Sequence, residues 1–371
     1  MIPVFQPSYG EQEKEALAQT LESRWTGLGP RVAAFEEAFA RSVGSKHAIA
    51  LNSCTSALHL ALHLVGVEPG GAVLCPSLTF VSSPHAITYC GATPIFTDTD
   101  PHSLCSLPLQ AEEQLARKSY GNLQAIVSVL YAGQPCGIPS TTYPVVYDCA
   151  HAMGSTWPAA GKISCWSFHA VKNLSCGEGG MITLDDDQLA ERARRLRWMG
   201  ISTSTYDRNY ERSGQISYKW NYSVDEIGWK YNMSDLQAAL GLVQLSRLKE
   251  MQARRSCLMA LYREALSPIP QVKVFSHVPG SSHHLMIIRC QERDHLHSYL
   301  RGEGISTGVH YRPIHTYKCY GFQPPLPTVE REWQSLLTLP LYPDLTDSQV
   351  EFICSRIQNF YRISDHYQPG T

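Results

Sequence analysis

No C-x-x-C pair occurs in this 371-residue chain, although it holds 12 cysteines. They stand singly, at 54, 75, 90, 105, 136, 149, 165, 176, 257, 290, 319 and 354. That spacing supports neither a zinc knuckle nor a thioredoxin-type motif, and no metal site is expected. The opening residues MIPVFQPSYGEQEKEAL lack the basic and apolar regions of a secretory signal. The cysteines are therefore expected to be small buried hydrophobes in a reducing cytoplasm, not disulfide partners. No apolar run approaches the roughly 20 residues of a membrane span. Charge is scarce too, at 17% of residues, and 31 basic against 33 acidic side chains leave a net charge of −2. A nucleic-acid partner would call for a basic excess, and a disordered chain for high charge with few aromatics. Neither fits a sequence that is 43% hydrophobic and 10% aromatic.

Three catalytic templates are missing as well. GSTWPAAGK (154–162) resembles a P-loop, but six residues separate its glycines and Ile163 replaces the Ser or Thr. His59 and His63 have the i,i+4 spacing of a zinc pair without the intervening Glu, on an apolar helix, and read as packing histidines. The G-x-S-x-G elbow of serine hydrolases is absent.

What is present is an alternation of strand-like and helix-like stretches. HAIAL, AVLCP, TPIFTD, AIVSVLYA and VVYDCA read as strands, with helices over 55–67, 81–89 and 109–119 between them. The alternation argues for a largely parallel sheet covered on both faces. GQPCGIPSTTYP (133–144) carries too many glycines and prolines for a crossover helix. SCWSFHAVKNL and GGMITLDD read as two more strands, the first leading into a turn at Lys172 and Asn173, and QLAERARRLRWMG as a helix with a solvated basic face. Residues 203–229 are tyrosine-rich and read as a long functional loop. A long helix beginning near Asp235 then leads into an α+β remainder, so residues 1–245 are expected to form a large domain with an N-terminal arm. Residues 246–371 are expected to form a small one.

Three features lie at strand ends, where α/β sheets bind ligands. Asn52-Ser53-Cys54-Thr55-Ser56 precedes an apolar helix; such hydroxyls act as N-caps or, with free helix amides, as an anion site. Asp148 closes a buried strand, and Lys172 follows another in the apolar segment SFHAVKN. A lone lysine usually lies on the surface. With a carboxylate and a phosphate site, it is what pyridoxal phosphate (PLP) requires: an amine for its aldehyde, an acid for its ring nitrogen and a cradle for its phosphate.

The stretches NSCTSALHLAL, PSLTFVSSPHAI, DCAHAMG, SFHAVKNLSCGEGG and KYNMSDLQAALGLVQL together resemble the DegT/StrS sugar aminotransferases. The resemblance runs from Trp25-Thr26-Gly27 to His310-Tyr311-Arg312-Pro313-Ile314-His315, and is especially similar to the branch that aminates 4-keto sugars. It implies a fold type I PLP-dependent transferase, α/β, with a mostly parallel sheet flanked by helices and a smaller C-terminal α+β domain. Lys172 would form the Schiff base, Asp148 pair with the ring nitrogen, His151 lie beside the ring and Phe80 stack on it. Thr55, Ser56 and Ser167 would hold the phosphate, with Asn232 reaching it from the partner subunit of a homodimer. His310, Tyr311 and His315 would lie near a nucleotide-linked keto sugar, the amine coming from glutamate and passing to C4. A 3-keto sugar, a keto-cyclitol or a non-catalytic role are the alternatives. The segments 133–144 and 154–163 are shorter than in the family, whereas the lysine that some relatives replace with histidine is kept.

Overall fold

In this computed structural model, residues 1–105, 122–137, 141–202, 205–206 and 222–366 are described. The predicted helix over 109–119 and most of the tyrosine-rich loop lie outside them.

Seven strands form the large sheet: β1 (His47–Leu51), β2 (Ala72–Pro76), β3 (Thr93–Thr97), β4 (Leu123–Val129), β5 (Val145–Asp148), β6 (Ile163–Ser167) and β7 (Gly180–Leu184). Their order is β1-β7-β6-β5-β4-β2-β3. β7 runs antiparallel to both neighbours, and every other pairing is parallel. Side chains alternate across a strand, and here the alternation separates two cores. Ile49, Leu51, Val146, Cys165 and Ile182 face the helix Cys54–Leu64 (α3), while Ala48, Ala50, Tyr147, Trp166 and Met181 pack on the other side. That second core is filled by Phe35 and Phe39 of the helix Pro30–Val43 (α2) and by the start of a long helix. Glu11–Glu22 (α1), Ser82–Tyr89 (α4) and Asp187–Leu196 (α5) complete the first half.

The long helix (α6) is continuous from Asp235 to Leu266, so the expected boundary at 245/246 falls inside it. Ser234 and Gln237 cap each other at its start. Its first half packs on the Phe35 core, and Leu258, Met259, Tyr262 and Leu266 pack on a separate core around an antiparallel sheet. That sheet, of order β10-β9-β8, comprises β8 (Val272–Val274), β9 (Met286–Cys290) and β10 (Leu336–Leu339). Helices Arg293–Gly302 (α7), Pro327–Glu332 (α8) and Asp347–His366 (α9) accompany it. The first residues of the N-terminal arm run along this second unit, where Ile2 pairs with Ile305 and the Val4 carbonyl accepts from the Leu341 amide, and Tyr9 then reaches Ser175 of the first unit at 2.7 Å.

Two further readings change. The strand expected over 164–174 ends already at Ser167, whereas the turn expected at Lys172 is present, closed by its amide on the His169 carbonyl at 2.9 Å. The basic face at the end of α5 is not simply solvated: Arg197 is buried, donating to Glu36 and to the Ala50 carbonyl. Arg192 pairs with Glu226. A buried charge persists only where a partner offsets its lost hydration.

All twelve cysteines are free, and nine of them are buried. His59 is buried with Nδ1 on the Tyr231 hydroxyl at 3.1 Å, a packing role as expected. No helix among the described residues is long and apolar enough to cross a membrane.

Candidate active site

Asp148 and Ser167 are the last residues of the adjacent parallel strands β5 and β6. Counting by twos from Val146 and Cys165 puts both side chains on the α3 face of the sheet. The N-terminus of α3 meets them there, because Gly180 on β7 lets it come close. A Cβ at Gly180 would lie 2.3 Å from the Ser53 carbonyl. Together these elements enclose a cavity of about 370 Å³. Asp148, Lys172 and His151 line it, with Ser53, Cys54 and Thr55 of the helix start and Ser167 of the strand end. Phe80, His310 and Tyr311 lie on its walls.

Asp148 is buried and oriented from both sides. Oδ2 accepts from the Ser83 hydroxyl at 2.6 Å and Oδ1 from the Ala150 amide at 3.0 Å. Burial pushes its carboxyl above the usual range, against the pull of these donors and of Lys172. Burial pulls the Lys172 amine down to about 8, with Asp148 acting in the opposite direction. His151 is held neutral by burial and by the nearby Lys172. Its Nε2 meets the Tyr311 hydroxyl at 3.2 Å, while Nδ1 is buried with no partner among the described residues. His310 falls to about 4, again mainly through burial.

At the helix start, Ser53 caps α3 by accepting from the Ser56 amide at 3.1 Å. The amides of Cys54 and Thr55 belong to the first turn and have no acceptor within the helix. Thr55 Oγ1 lies 2.9 Å from Ser82 Oγ.

Three expected residues do not line this cavity. Ser56 turns its hydroxyl to Asn52 Oδ1 at 2.6 Å. Asn232 accepts from Lys230 and donates to the Met233 carbonyl, away from its own chain's cavity. His315 is buried between Ser77 Oγ at 2.6 Å and Glu330 Oε1 at 2.9 Å. Sequence reasoning missed Ser83, which orients Asp148, and His284, whose ring lies 4.3 Å from that of His151. Ser82-Ser83 at a helix start was the available signal for the first; the second comes from the distant C-terminal unit and had none.

The residues present fit PLP. His151, in the cavity lining, has a buried Nδ1 without a partner among the described residues, as a group beside a bound ring would need, and the α3 first turn offers unpaired amides to a phosphate. Phe80 is 55% exposed beside the cavity, an apolar face free to cover a ring.

The sheet order, with its one antiparallel inner strand and helices on both faces, is that of fold type I aminotransferases. Residues 7–358 match the DegT/DnrJ/EryC1/StrS aminotransferase family, and the chain belongs to that PLP-dependent family. Among solved structures it is similar to the aminotransferase TlmJ from Streptoalloteichus hindustanus, at 32% identity and a TM-score of 0.88, covering 98% of this chain and 100% of that one. Spr1654 from Streptococcus pneumoniae, solved with PMP, is 26% identical with a TM-score of 0.87 over 98% and 100% of the two chains. It is also solved in a PLP form. The sugar aminotransferase CalS13 from Micromonospora echinospora is 25% identical, with a TM-score of 0.82 over 97% and 100%.

Proposed function

We propose that this aminotransferase moves an amino group from glutamate to the C4 keto carbon of a nucleotide-linked sugar, in a ping-pong cycle. It works as a cytoplasmic homodimer with shared sites, its large domain (1–245) holding the cofactor and its small domain (246–371) closing the cavity. The observation that carries the reading is Lys172 and Asp148 in one buried cavity with the amide-rich start of α3.

Bound there, PLP supplies an aldehyde that takes up the amino group and a ring that accepts the electron pair left when a proton departs. Lys172 would hold it covalently, and its amine, lowered by burial to about 8, is suited to take up and give back a proton near neutral pH. Asp148, oriented by Ser83 and Ala150, presents a carboxylate to the ring nitrogen. His151 offers Nδ1 beside the ring, and Phe80 covers one face and limits water. Thr55, Ser167 and the α3 amides would hold the phosphate, and Ser56 could join them only by giving up its bond to Asn52. Asn232, turned away from its own cavity, serves the partner's phosphate.

Nucleotide linkage is supported by a second depression of about 430 Å³ beside Phe80 and Tyr311. Arg312, Tyr317 and Trp333 line it, a cation and aromatic rings suited to a diphosphate and a base. His310 and Tyr311 stand between the two spaces, and His315 supports that wall from behind.

The test is Lys172→Ala, which should abolish turnover and the Lys172-dependent visible absorbance of bound PLP. The pyridoxamine-loaded enzyme should then be offered nucleotide-linked 4-keto and 3-keto sugars and free keto-cyclitols. Faster reoxidation by a 3-keto sugar or a cyclitol would overturn the C4 assignment. Mixing Lys172→Ala with Asn232→Ala subunits should restore activity through hybrid dimers if the sites are shared.

A further inference from the structure

The turn that carries Lys172 and the loop that carries His151 are held together by a pair of side chains outside the cavity lining, Asn173 and His284. Asn173 is buried directly after the lysine. Its Nδ2 donates to the Met153 carbonyl at 3.2 Å and to the Ser282 carbonyl at 2.8 Å. With both amide protons directed at carbonyls, its Oδ1 must be an acceptor, so the 3.0 Å contact to His284 Nδ1 requires a proton on that nitrogen. His284 is accordingly the neutral Nδ1–H tautomer. Burial, His151, Lys172, Arg255 and His310 all oppose its protonation.

The ring so fixed lies 4.3 Å from that of His151, tilted by 37°, and it also stacks on Phe5 at 5.6 Å and an interplanar angle of 4°. The neighbouring Ser282 hydroxyl donates to the His151 carbonyl at 2.5 Å. Gly133 completes the junction, because a Cβ there would lie 1.7 Å from Ser282 Oγ and 2.4 Å from the His151 carbonyl. One side chain thus ties the Lys172 turn, the loop after β5 and the segment leading into β9.

We infer that Asn173 and His284 are positioning residues: Asn173 holds the Lys172 turn and the His284 tautomer, and His284 is the platform that sets the His151 ring. The inference rests on Lys172 being the lysine that binds PLP. It follows that the hydrogen bond and the ring contact are separable. His284→Phe keeps a ring beside His151 and leaves Asn173 Oδ1 without its donor. His284→Gln keeps a donor and removes the ring.

The experiment measures, for wild type, both His284 variants and Asn173→Ala, the PLP dissociation constant, the pH midpoint of the Lys172-dependent absorbance and the rate of the glutamate half-reaction. Thermal unfolding checks that each variant folds. His284→Phe should shift the pH midpoint and slow the half-reaction with little change in glutamate saturation. His284→Gln should hold the midpoint closer to wild type and weaken PLP binding. Asn173→Ala should do both, with PLP affinity falling about tenfold, the scale of one or two buried hydrogen bonds. Folded variants whose affinity and midpoint all match wild type would overturn the inference while leaving the lysine assignment intact. A wild-type protein with no Lys172-dependent absorbance would overturn both.

Discussion

The floor and the rim of the cavity are built on opposite principles. On the floor, Asp148 and Lys172 are buried, and Asp148 has a donor on each oxygen. At the rim, Phe80 is half exposed and His169 faces Glu178 at 3.6 Å with both side chains open to solvent. Low dielectric makes each floor interaction count, whereas water screens those at the rim. On the proposed function, the floor is where the chemistry common to the family would be carried, and the rim is where the molecule aminated would be selected.

Lys172→Ala should cause the largest loss, with no measurable turnover in a coupled glutamate assay; substantial residual transamination would break the contrast at its strongest point. Asp148→Asn should come next, lowering the half-reaction rate roughly a hundredfold or more, the scale of removing a preorganised electrostatic partner. Ser83→Ala leaves the carboxylate with one donor fewer and should cost about tenfold in the same rate, with a PLP absorbance that becomes more pH-sensitive. If Ser83→Ala matched wild type, orientation of Asp148 would have to come from elsewhere.

Stability should respond to pH through the buried imidazoles. His59 and His310 are both lowered to about 4, so they are neutral in the fold while the unfolded chain takes up protons below its ordinary value near 6.5. Their contribution is complete above about 6.5 and is lost as pH falls from there to about 4. The urea midpoint should therefore drop between pH 7 and pH 5, and an unchanged midpoint would show that these rings are hydrated. The smallest effect belongs to the rim: His169→Ala should alter stability by under about 1 kcal/mol, as exposed ion pairs do. A larger change in thermal unfolding would mean that something covers this pair.

Much of the floor was legible in the sequence. Strand periodicity located β5 and β6, and a carboxylate and a lysine in apolar surroundings are rare enough to mark themselves. The turn at Lys172 and Asn173 was read from the sequence, but the strand before it was drawn too long, since HAVKNL is as apolar as what precedes it. Hydrogen bonding of the turn, not hydropathy, ends β6 at Ser167. Arg197 was read as a solvated base because nothing local announces Glu36, 161 residues away.

By itself the sequence determined the class of chemistry: local patterning sets which residues fall at strand ends, and PLP needs specific groups there. It also indicated that most of the cysteines serve as packing, as the nine buried ones do. Only the tertiary structure decided what orients those groups. Ser83 reaches Asp148 across 65 residues, and His284 reaches Asn173 across 111. Such contacts leave no period or spacing in the chain, because they are selected by how two separately patterned sheets and their helices come together in space.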